Sequence, residues 1–327
     1  MLKRIAILGE IGSGTLGDDL GYVLLRDALW RAVGDEHIML DFRPLTPNMF
    51  RFLPGYHWDA VMTGCGTLLD AASGPYVRAL LAAAETAPIF IAGTGLADER
   101  HIVLTSQGVA DLQRLLRIAK VAWLRAARTA PQTILGIDGP DPFWLYGWRG
   151  QNVASRVDIG INDGPVAYGD LRPWRQHLKA MRQRHYSRLI AAWRDDVPCL
   201  HLLDAGASHL NSRAEPVLIS GGSKSNAELD SLRSIVTTRV HLGAIAACHG
   251  VLPVLPDYSM KVSEILRSGV SVPVKILPHD CELVAMEAAC FDAFDRDVLR
   301  ASVEDAHSRA LAAVRALAEV MLETLAR

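Results

Sequence analysis

Short apolar runs alternate with amphipathic runs along almost the whole 327-residue chain. In the first half, the apolar runs at 4–9, 37–42, 59–63, 88–92, 120–124 and 133–137 have the length of buried strands. Between them, 18–32, 75–84 and 106–118 repeat their apolar positions at helical spacing. A turn-rich stretch follows from Gly136 to about Val153, containing Asp138-Gly139-Pro140-Asp141-Pro142 and then Gly147 and Gly150. That composition suits a linker between domains. The alternation then restarts, with strands expected at 157–161, 197–203, 216–220, 234–238 and 252–255. Helices are expected at 171–194, 223–232, 241–249 and 260–267, and 283–327 is rich in Ala, Leu and Glu and reads as helical.

Strands that alternate with helices imply βαβ units and parallel sheets. The pattern therefore predicts an α/β protein of two doubly wound Rossmann-like domains, over 1–150 and 151–327, with a helical C-terminus that crosses back. This is the architecture of GT-B glycosyltransferases, in which the active site is a cleft between two sheets. Ligands of such open sheets bind beyond the carboxyl ends of the strands. The chemistry is accordingly sought in the residues that follow each strand.

Composition narrows the picture. Half of the residues are apolar, which excludes a mainly disordered chain, and the net charge of −2 supplies no global field for nucleic acid. The five cysteines (Cys65, Cys199, Cys248, Cys281 and Cys290) are odd in number, widely spaced and without a CxxC pair. They read as free thiols in a reducing compartment rather than as zinc ligands. The first apolar run stops at Gly9, too soon for a signal peptide, and no uncharged run approaches the ~18 residues of a membrane span. A cytoplasmic protein is expected. The segment 171–190 is a basic amphipathic helix. Leu171, Trp174, Leu178, Met181 and Leu189 mark its apolar stripe, and Arg172, Arg175, Lys179, Arg182, Arg184 and Arg188 cover the rest. It is either a solvated helix face or a dock for anionic lipid, which would make the protein peripheral to the inner membrane. Its basic face lacks interleaved aromatics, which argues against nucleic acid.

The first strand-to-helix loop, Gly12-Ser13-Gly14-Thr15-Leu16-Gly17-Asp18-Asp19, has the form of a dinucleotide fingerprint. Asp18 and Asp19 fall in the helix's first turn, where they would repel a pyrophosphate; there they suit the helix dipole or a sugar hydroxyl. After the third strand comes Thr63-Gly64-Cys65-Gly66-Thr67-Leu68-Leu69-Asp70, read as a tight strand-to-helix turn or a close-approach site where Thr67 and Asp70 bond hydroxyls. Arg125 ends a later strand and offers a planar fork to a carboxylate or phosphate, or else a surface salt bridge. In the second domain, Ser220-Gly221-Gly222 joins a strand to a helix and can cradle an anion with successive N–H groups. The densest block runs from Thr237 to Gly250. Arg239 and His241 fall at its strand–helix junction, and Lys261 follows the next strand. An arginine, a histidine and a lysine at neighbouring strand ends can hold a small dianion, with His241 also able to transfer a proton. His249, eight residues beyond His241, sits badly for a shared metal and reads as a helix-end residue.

Taken in order, these blocks resemble the polysaccharide pyruvyl transferase family. The resemblance rests on Thr15-Leu16-Gly17-Asp18, Gly64-Cys65-Gly66-Thr67-Leu68, Leu124-Arg125-Ala126-Ala127-Arg128-Thr129 and the turn Gly139-Pro140-Asp141-Pro142. It rests most of all on Thr237-Thr238-Arg239-Val240-His241, with Ala246, Gly250 and Pro253, followed by Tyr258 and Lys261. It spans roughly residues 5–270. Thr15, Cys65 and Ala126 stand where the family carries Asn, Gly and an acid. The resemblance implies transfer of the enolpyruvyl unit of phosphoenolpyruvate to a saccharide, free or lipid-linked, giving a pyruvate ketal and phosphate. The first domain would face the acceptor and the second the donor. Arg239, Lys261 and Arg125 would hold the donor's two charged ends, His241 would protonate its methylene, and Asp18 or Asp19 would serve as base. It implies no metal and no organic cofactor, phosphoenolpyruvate being a co-substrate. Two other enzyme classes compete: a GT-B glycosyltransferase using a nucleotide sugar, for which Glu264 is the one candidate to grip the donor ribose, and an NAD(P)-dependent oxidoreductase. A non-catalytic polysaccharide-binding protein is a third reading.

The lipid-dock reading of 171–190 is testable from sequence alone. Each Lys or Arg near an anionic leaflet is worth about 1 kcal/mol, screened over about 8 Å at physiological salt. Co-sedimentation with anionic vesicles should occur at low salt, fall at high salt, and vanish when Arg175, Lys179 and Arg182 are all changed to Glu. Equal binding to neutral vesicles would leave only a solvated helix face.

Overall fold

The computed structural model describes residues 2–9, 16–34, 39–46, 57–69, 74–96, 104–125, 136–150, 157–162, 174, 176–178, 180–181, 202–203, 217–218, 229–230, 232–258, 260–266 and 274–326. The chain divides into two compact units. One comprises Met1–Ser13, Gly17–Leu145 and Ala306–Arg327, and the other comprises Gly14–Leu16 and Tyr146–Asp305.

The first unit is built on one parallel sheet of seven strands: β1 (Leu2–Leu8), β2 (Met39–Leu45), β3 (Ala60–Thr63), β4 (Gly66–Leu69), β5 (Ile89–Leu96), β6 (Val121–Leu124) and β7 (Gly136–Asp138). Their order is β2-β1-β3-β5-β6-β7, with β4 paired to β5. The chain builds outward from β1 to β2 and then resumes on the other side of β1 with β3. The loops after β1 and β3 therefore flank the place where winding reverses, where open sheets bind ligands. Strands β3 and β6 are buried at every position, as expected of strands covered on both faces. Helices α1 (Leu16–Val33), α2 (Pro75–Ala83) and α3 (Ser106–Ile118) connect them. Each start has a local cause. Asp18 and Asp19 face the dipole of α1, Pro75 opens α2, and Thr105 caps α3 by accepting from the Gly108 N–H at 3.0 Å.

The second unit holds a four-stranded parallel sheet ordered β13-β12-β11-β8, from β8 (Val157–Asn162), β11 (Leu232–Thr237), β12 (Leu252–Pro256) and β13 (Lys275–Leu277). A separate parallel pair joins β9 (Leu202–Leu203) to β10 (Val217–Leu218). Helices α4 (Val240–Cys248), α5 (Met260–Leu266) and α6 (Leu283–Phe291) follow their strands. Helix α7 (Arg296–Leu325) begins in the second unit and ends in the first. None of the described helices is long and apolar enough to cross a membrane.

The structure adds to and departs from the sequence pattern at several points. Within the turn-rich stretch expected to be a linker, Gly136–Asp138 is strand β7, overlapping the strand expected at 133–137, Pro142–Tyr146 is a 3-10 turn, and the chain passes from one unit to the other between Leu145 and Tyr146. Phe143 and Trp144 in that turn are fully buried, and roughly 1.5–3 kcal/mol per large apolar side chain outweighs the turn propensity around them. The glycine turn after β3 continues into a strand, β4, and a further strand, β13, was not legible in the apolar pattern. Strand β11 starts at Leu232, which the sequence pattern had assigned to a helix. In the basic segment, Trp174, Leu178 and Met181 are buried in a cluster with Ile159, Ile161, Val236, Val254 and Met286. Trp174 is thus core, as its place on the apolar stripe predicts. The side chains of Arg175, Lys179 and 182–190 lie outside the described residues.

Helix α4 is secured at its C-terminal end. Gly250 (φ +75°) lets the chain reverse, its N–H donating to the Ala247 carbonyl at 3.0 Å and that of Val251 to Ala246 at 2.9 Å. His249 caps the helix inside a buried chain. Its Nδ1 lies 2.9 Å from Asp230 Oδ1, and its Nε2 lies 3.1 Å from the Tyr146 hydroxyl. Since Asp230 accepts, Nδ1–H donates, and Tyr146 donates to Nε2 of a neutral ring. Burial lowers the His249 pKa, and outweighs the opposing effect of Asp230.

A histidine whose folded-state pKa lies below its unfolded value of about 6.5 stabilises the fold above that pH and loses the contribution as pH falls. The urea midpoint should therefore drop between pH 7 and pH 5. His249→Gln should flatten part of that drop. His249→Ala should cost about 3–5 kcal/mol at pH 7, because Asp230 is left buried without its partner.

Candidate functional site

Each unit gathers polar residues at the carboxyl ends of its strands. In the first unit the gathering is organised by an ion pair. Arg125, just past β6, places Nη1 2.8 Å from Asp141 Oδ2, with no solvent exposure of either side chain. Asp141 also accepts the Phe143 N–H at 2.8 Å through Oδ1, which starts the buried turn. A β-carbon on Gly95 would overlap the Arg125 guanidinium, so only glycine fits beneath it. Arg125 is neither a surface salt bridge nor an open fork in this structure.

Around this pair the strand ends interlock. Thr94 Oγ1 donates to the Gly66 carbonyl at 3.0 Å and accepts the Leu68 N–H at 3.3 Å. Gly66 has φ +114°, and a β-carbon there would lie 2.8 Å from Asp18 Oδ1. The half-buried Asp18 is thus brought against the β3–β4 corner. Asp19 is half-buried beside it in the same helical turn. The Cys65 thiol is pushed well above its ordinary range, by burial first and then by the negative charges of Asp141 and Asp18. It is a protonated packing group against Gly21 and not a nucleophile. Thr67 has its backbone in β4, but its side chain lies outside the described residues, as does all of Asp70. Asp141 was missed as a site residue, although an aspartate between two prolines in a motif-matching turn was the available signal.

In the second unit, β11 ends at Thr237 and Arg239 occupies the N-cap of α4. His241 sits in the first turn of α4 with 8% exposure. Strand β12, paired to β11, leads through the half-buried Tyr258 to the half-buried Lys261 in the first turn of α5. Glu264, three residues further along α5, is buried. Arg239, His241 and Lys261 therefore stand at the carboxyl ends of two adjacent strands. Below them, Thr237 Oγ1 donates to Asn162 Oδ1 at 3.0 Å, and the Arg239 N–H donates to Thr237 Oγ1 at 2.9 Å. Asn162 also escaped the sequence reading, because an asparagine closing a strand carries no periodic signal. Ser220 and Gly221 lie outside the described residues. His249 belongs to the opposite end of α4 and serves the fold.

No protein-family model and no curated protein matches the sequence. Solved structures do resemble the fold. The UDP-GlcNAc 2-epimerase of Methanocaldococcus jannaschii superimposes with a TM-score of 0.53 at 10% identity, over 93% of this chain and 98% of that one. The Neisseria meningitidis enzyme of the same name, bound to UDP-GlcNAc, gives 0.53 at 9% identity over 99% and 100%. The S. aureus MnaA–UDP co-structure gives 0.56 at 13% identity over 94% and 92%. At such identities the likeness establishes the fold. The chain is an α/β protein of the GT-B kind with parallel sheets and a helical C-terminus, as its sequence pattern predicted.

The Arg125–Asp141 pair yields a stability test. Asp141→Asn keeps the acceptor for Phe143 but strands a buried guanidinium, and should destabilise the protein by about 3–5 kcal/mol. Adding Arg125→Met removes the stranded charge and should restore much of that loss in urea unfolding. A double variant no more stable than Asp141→Asn alone would show that the pair does not govern this edge.

Proposed function

We propose that the chain is an enzyme that modifies saccharides and that its second unit holds a phosphate-bearing donor. The observation that carries this reading is the placement of Arg239 and His241 across the start of α4, with Lys261 at the end of the neighbouring strand. Arginine supplies a bidentate fork for phosphate or carboxylate oxygens, lysine a second positive charge, and a helix N-terminus oriented N–H dipoles. His241 is the residue able to give a proton to a leaving or accepting atom there.

A nucleotide sugar is the donor class that the fold likeness supports better. Two of the similar structures are named for UDP-GlcNAc, and the third contains UDP. Glu264 adds a buried carboxylate one helical turn beyond Lys261, on the same face of α5, of the type that accepts ribose hydroxyls. A second reading is favoured by a different observation. The block Arg239-Val240-His241 with Tyr258 and Lys261 resembles that of polysaccharide pyruvyl transferases. In this reading phosphoenolpyruvate is the co-substrate. His241 protonates its methylene carbon, and a first saccharide hydroxyl adds to the cationic carbon and gives its proton to Asp18 or Asp19. The C–O bond to phosphate then breaks with its electron pair leaving on phosphate. A second hydroxyl of the same saccharide adds to that carbon, its proton leaving with the phosphate, to close the ketal. Arg125, buried against Asp141, then supports the acceptor edge and does not hold the donor.

The two readings separate by calorimetry with UDP, UDP-GlcNAc and phosphoenolpyruvate. Binding of UDP and UDP-GlcNAc is expected under the first reading, and binding of phosphoenolpyruvate with saccharide-dependent phosphate release under the second. Under either, Arg239→Lys should weaken donor binding, since an ammonium cannot reproduce the fork. His241→Gln should lower turnover by ~10²–10⁴-fold with the fold intact. A response to NAD or NADP alone, or near-normal activity in both variants, would overturn the proposal.

A further inference from the structure

We infer that Asn162 and Thr237 are positioning residues that set the start of α4, and with it the aim of Arg239 and His241. The inference rests on the donor-site reading above, but its geometry stands on its own. Asn162 and Thr237 are register partners at the ends of β8 and β11, and both are fully buried. A backbone N–H can only donate, so Thr237 Oγ1 must accept from Arg239 at 2.9 Å. The hydroxyl has one proton, and its nearest acceptor is Asn162 Oδ1 at 3.0 Å; the Arg239 carbonyl is further away at 3.4 Å. The chain of donors therefore runs one way, from Arg239 N–H through Thr237 Oγ1–H to Asn162 Oδ1.

This relay acts where the backbone changes from strand to helix. The bond from Arg239 N–H back to the hydroxyl two residues earlier is a side-chain turn that replaces the next ladder bond of the strand. It holds Arg239 at φ −100° and ψ 109°, extended, so that the following residue begins the helix. Arg239 itself makes no side-chain cap hydrogen bond to α4. The entry into α4 is consequently fixed from beneath, by two buried groups on adjacent strands. His241 lies two residues beyond the pinned amide, within the first turn, so an error in that amide's position is carried directly to its ring. A valine at 237 would fill the same volume without the desolvation of a hydroxyl. The fully buried hydroxyl and amide are thus explained by the direction they impose on Arg239 rather than by packing.

The test compares Thr237→Val, which keeps the shape and removes the relay, with Thr237→Ser, which keeps the hydroxyl. A second route is Asn162→Ala, which removes the acceptor. Two readouts are used on the full chain: hydrogen–deuterium exchange of the amides at 239–242, and calorimetric binding of UDP and of phosphoenolpyruvate. Loss of one buried hydrogen bond corresponds to about 10-fold. Thr237→Val and Asn162→Ala should exchange the Arg239 amide about 10-fold faster and bind the responsive probe about 10-fold more weakly. Thr237→Ser should stay near wild type in both. If wild type binds neither probe, the donor reading fails, and exchange alone decides: faster exchange at Arg239 that extends to His241 in the valine variant upholds the positioning role. Indistinguishable exchange in the valine and serine variants overturns it.

Discussion

A guanidinium and a carboxylate 2.8 Å apart with no access to water constrain everything around them in the first unit. Separating such a pair would leave an uncompensated charge in the interior, so the strand ends must be built to keep it closed. Gly95 clears space for the guanidinium, and Asp141 spends its second oxygen on the Phe143 amide. The same carboxylate thereby fixes both the end of β6 and the first turn of the segment in which the chain passes from one unit to the other. Gly93 (φ +65°) faces Pro142 so closely that no side chain could stand there, and Trp123 bonds the Pro140 carbonyl at 3.1 Å. A stretch rich in turn residues thus becomes one of the most buried parts of the unit.

The second unit applies the same economy of buried polar groups to one helix. At its N-terminal end, α4 is tied to the sheet through Arg239, Thr237 and Asn162. At its C-terminal end it is tied through His249 to Asp230 and Tyr146, while the Arg149 and Gly150 amides donate to the Cys248 carbonyl at 2.7 and 3.1 Å. The helix between is wholly buried and almost without polar side chains. Its small residues, with Gly243 against Leu255, let it lie close on the sheet. A helix so held gives its first turn a set direction.

Fold likeness and residue pattern carry different information: at 9–13% identity the first establishes the fold, and the second is a resemblance of motifs. Two of the similar structures are named for UDP-GlcNAc and the third contains UDP, whereas the block of arginine, histidine and lysine resembles that of the polysaccharide pyruvyl transferase family. A fold of this kind hosts more than one chemistry, so the fold alone does not choose between the two proposed donors.

Much of the fold was determined by the sequence alone. Buried parallel strands must be continuous apolar runs and their helices must be amphipathic, so β1, β3, β5, β6, β11 and β12 and the helices between them were legible from period and length. That Arg239, His241 and Lys261 follow strand ends was legible too, because the strands before them were. Tertiary structure alone decided the rest. Strand β13 carries only three residues, too few for a period, and β4 follows β3 so closely, behind Gly64 and Gly66, that its sequence reads as a turn; both form because neighbouring strands present backbone groups to pair with. Burial turned Arg125 from a free cation into half of an ion pair, and turned Phe143 and Trp144 from linker into core. Asp141 and Asn162 became important only through partners 16 and 75 residues away. No local pattern encodes such a pairing, because the low-polarity surroundings that make it strong exist only once the strands have come together.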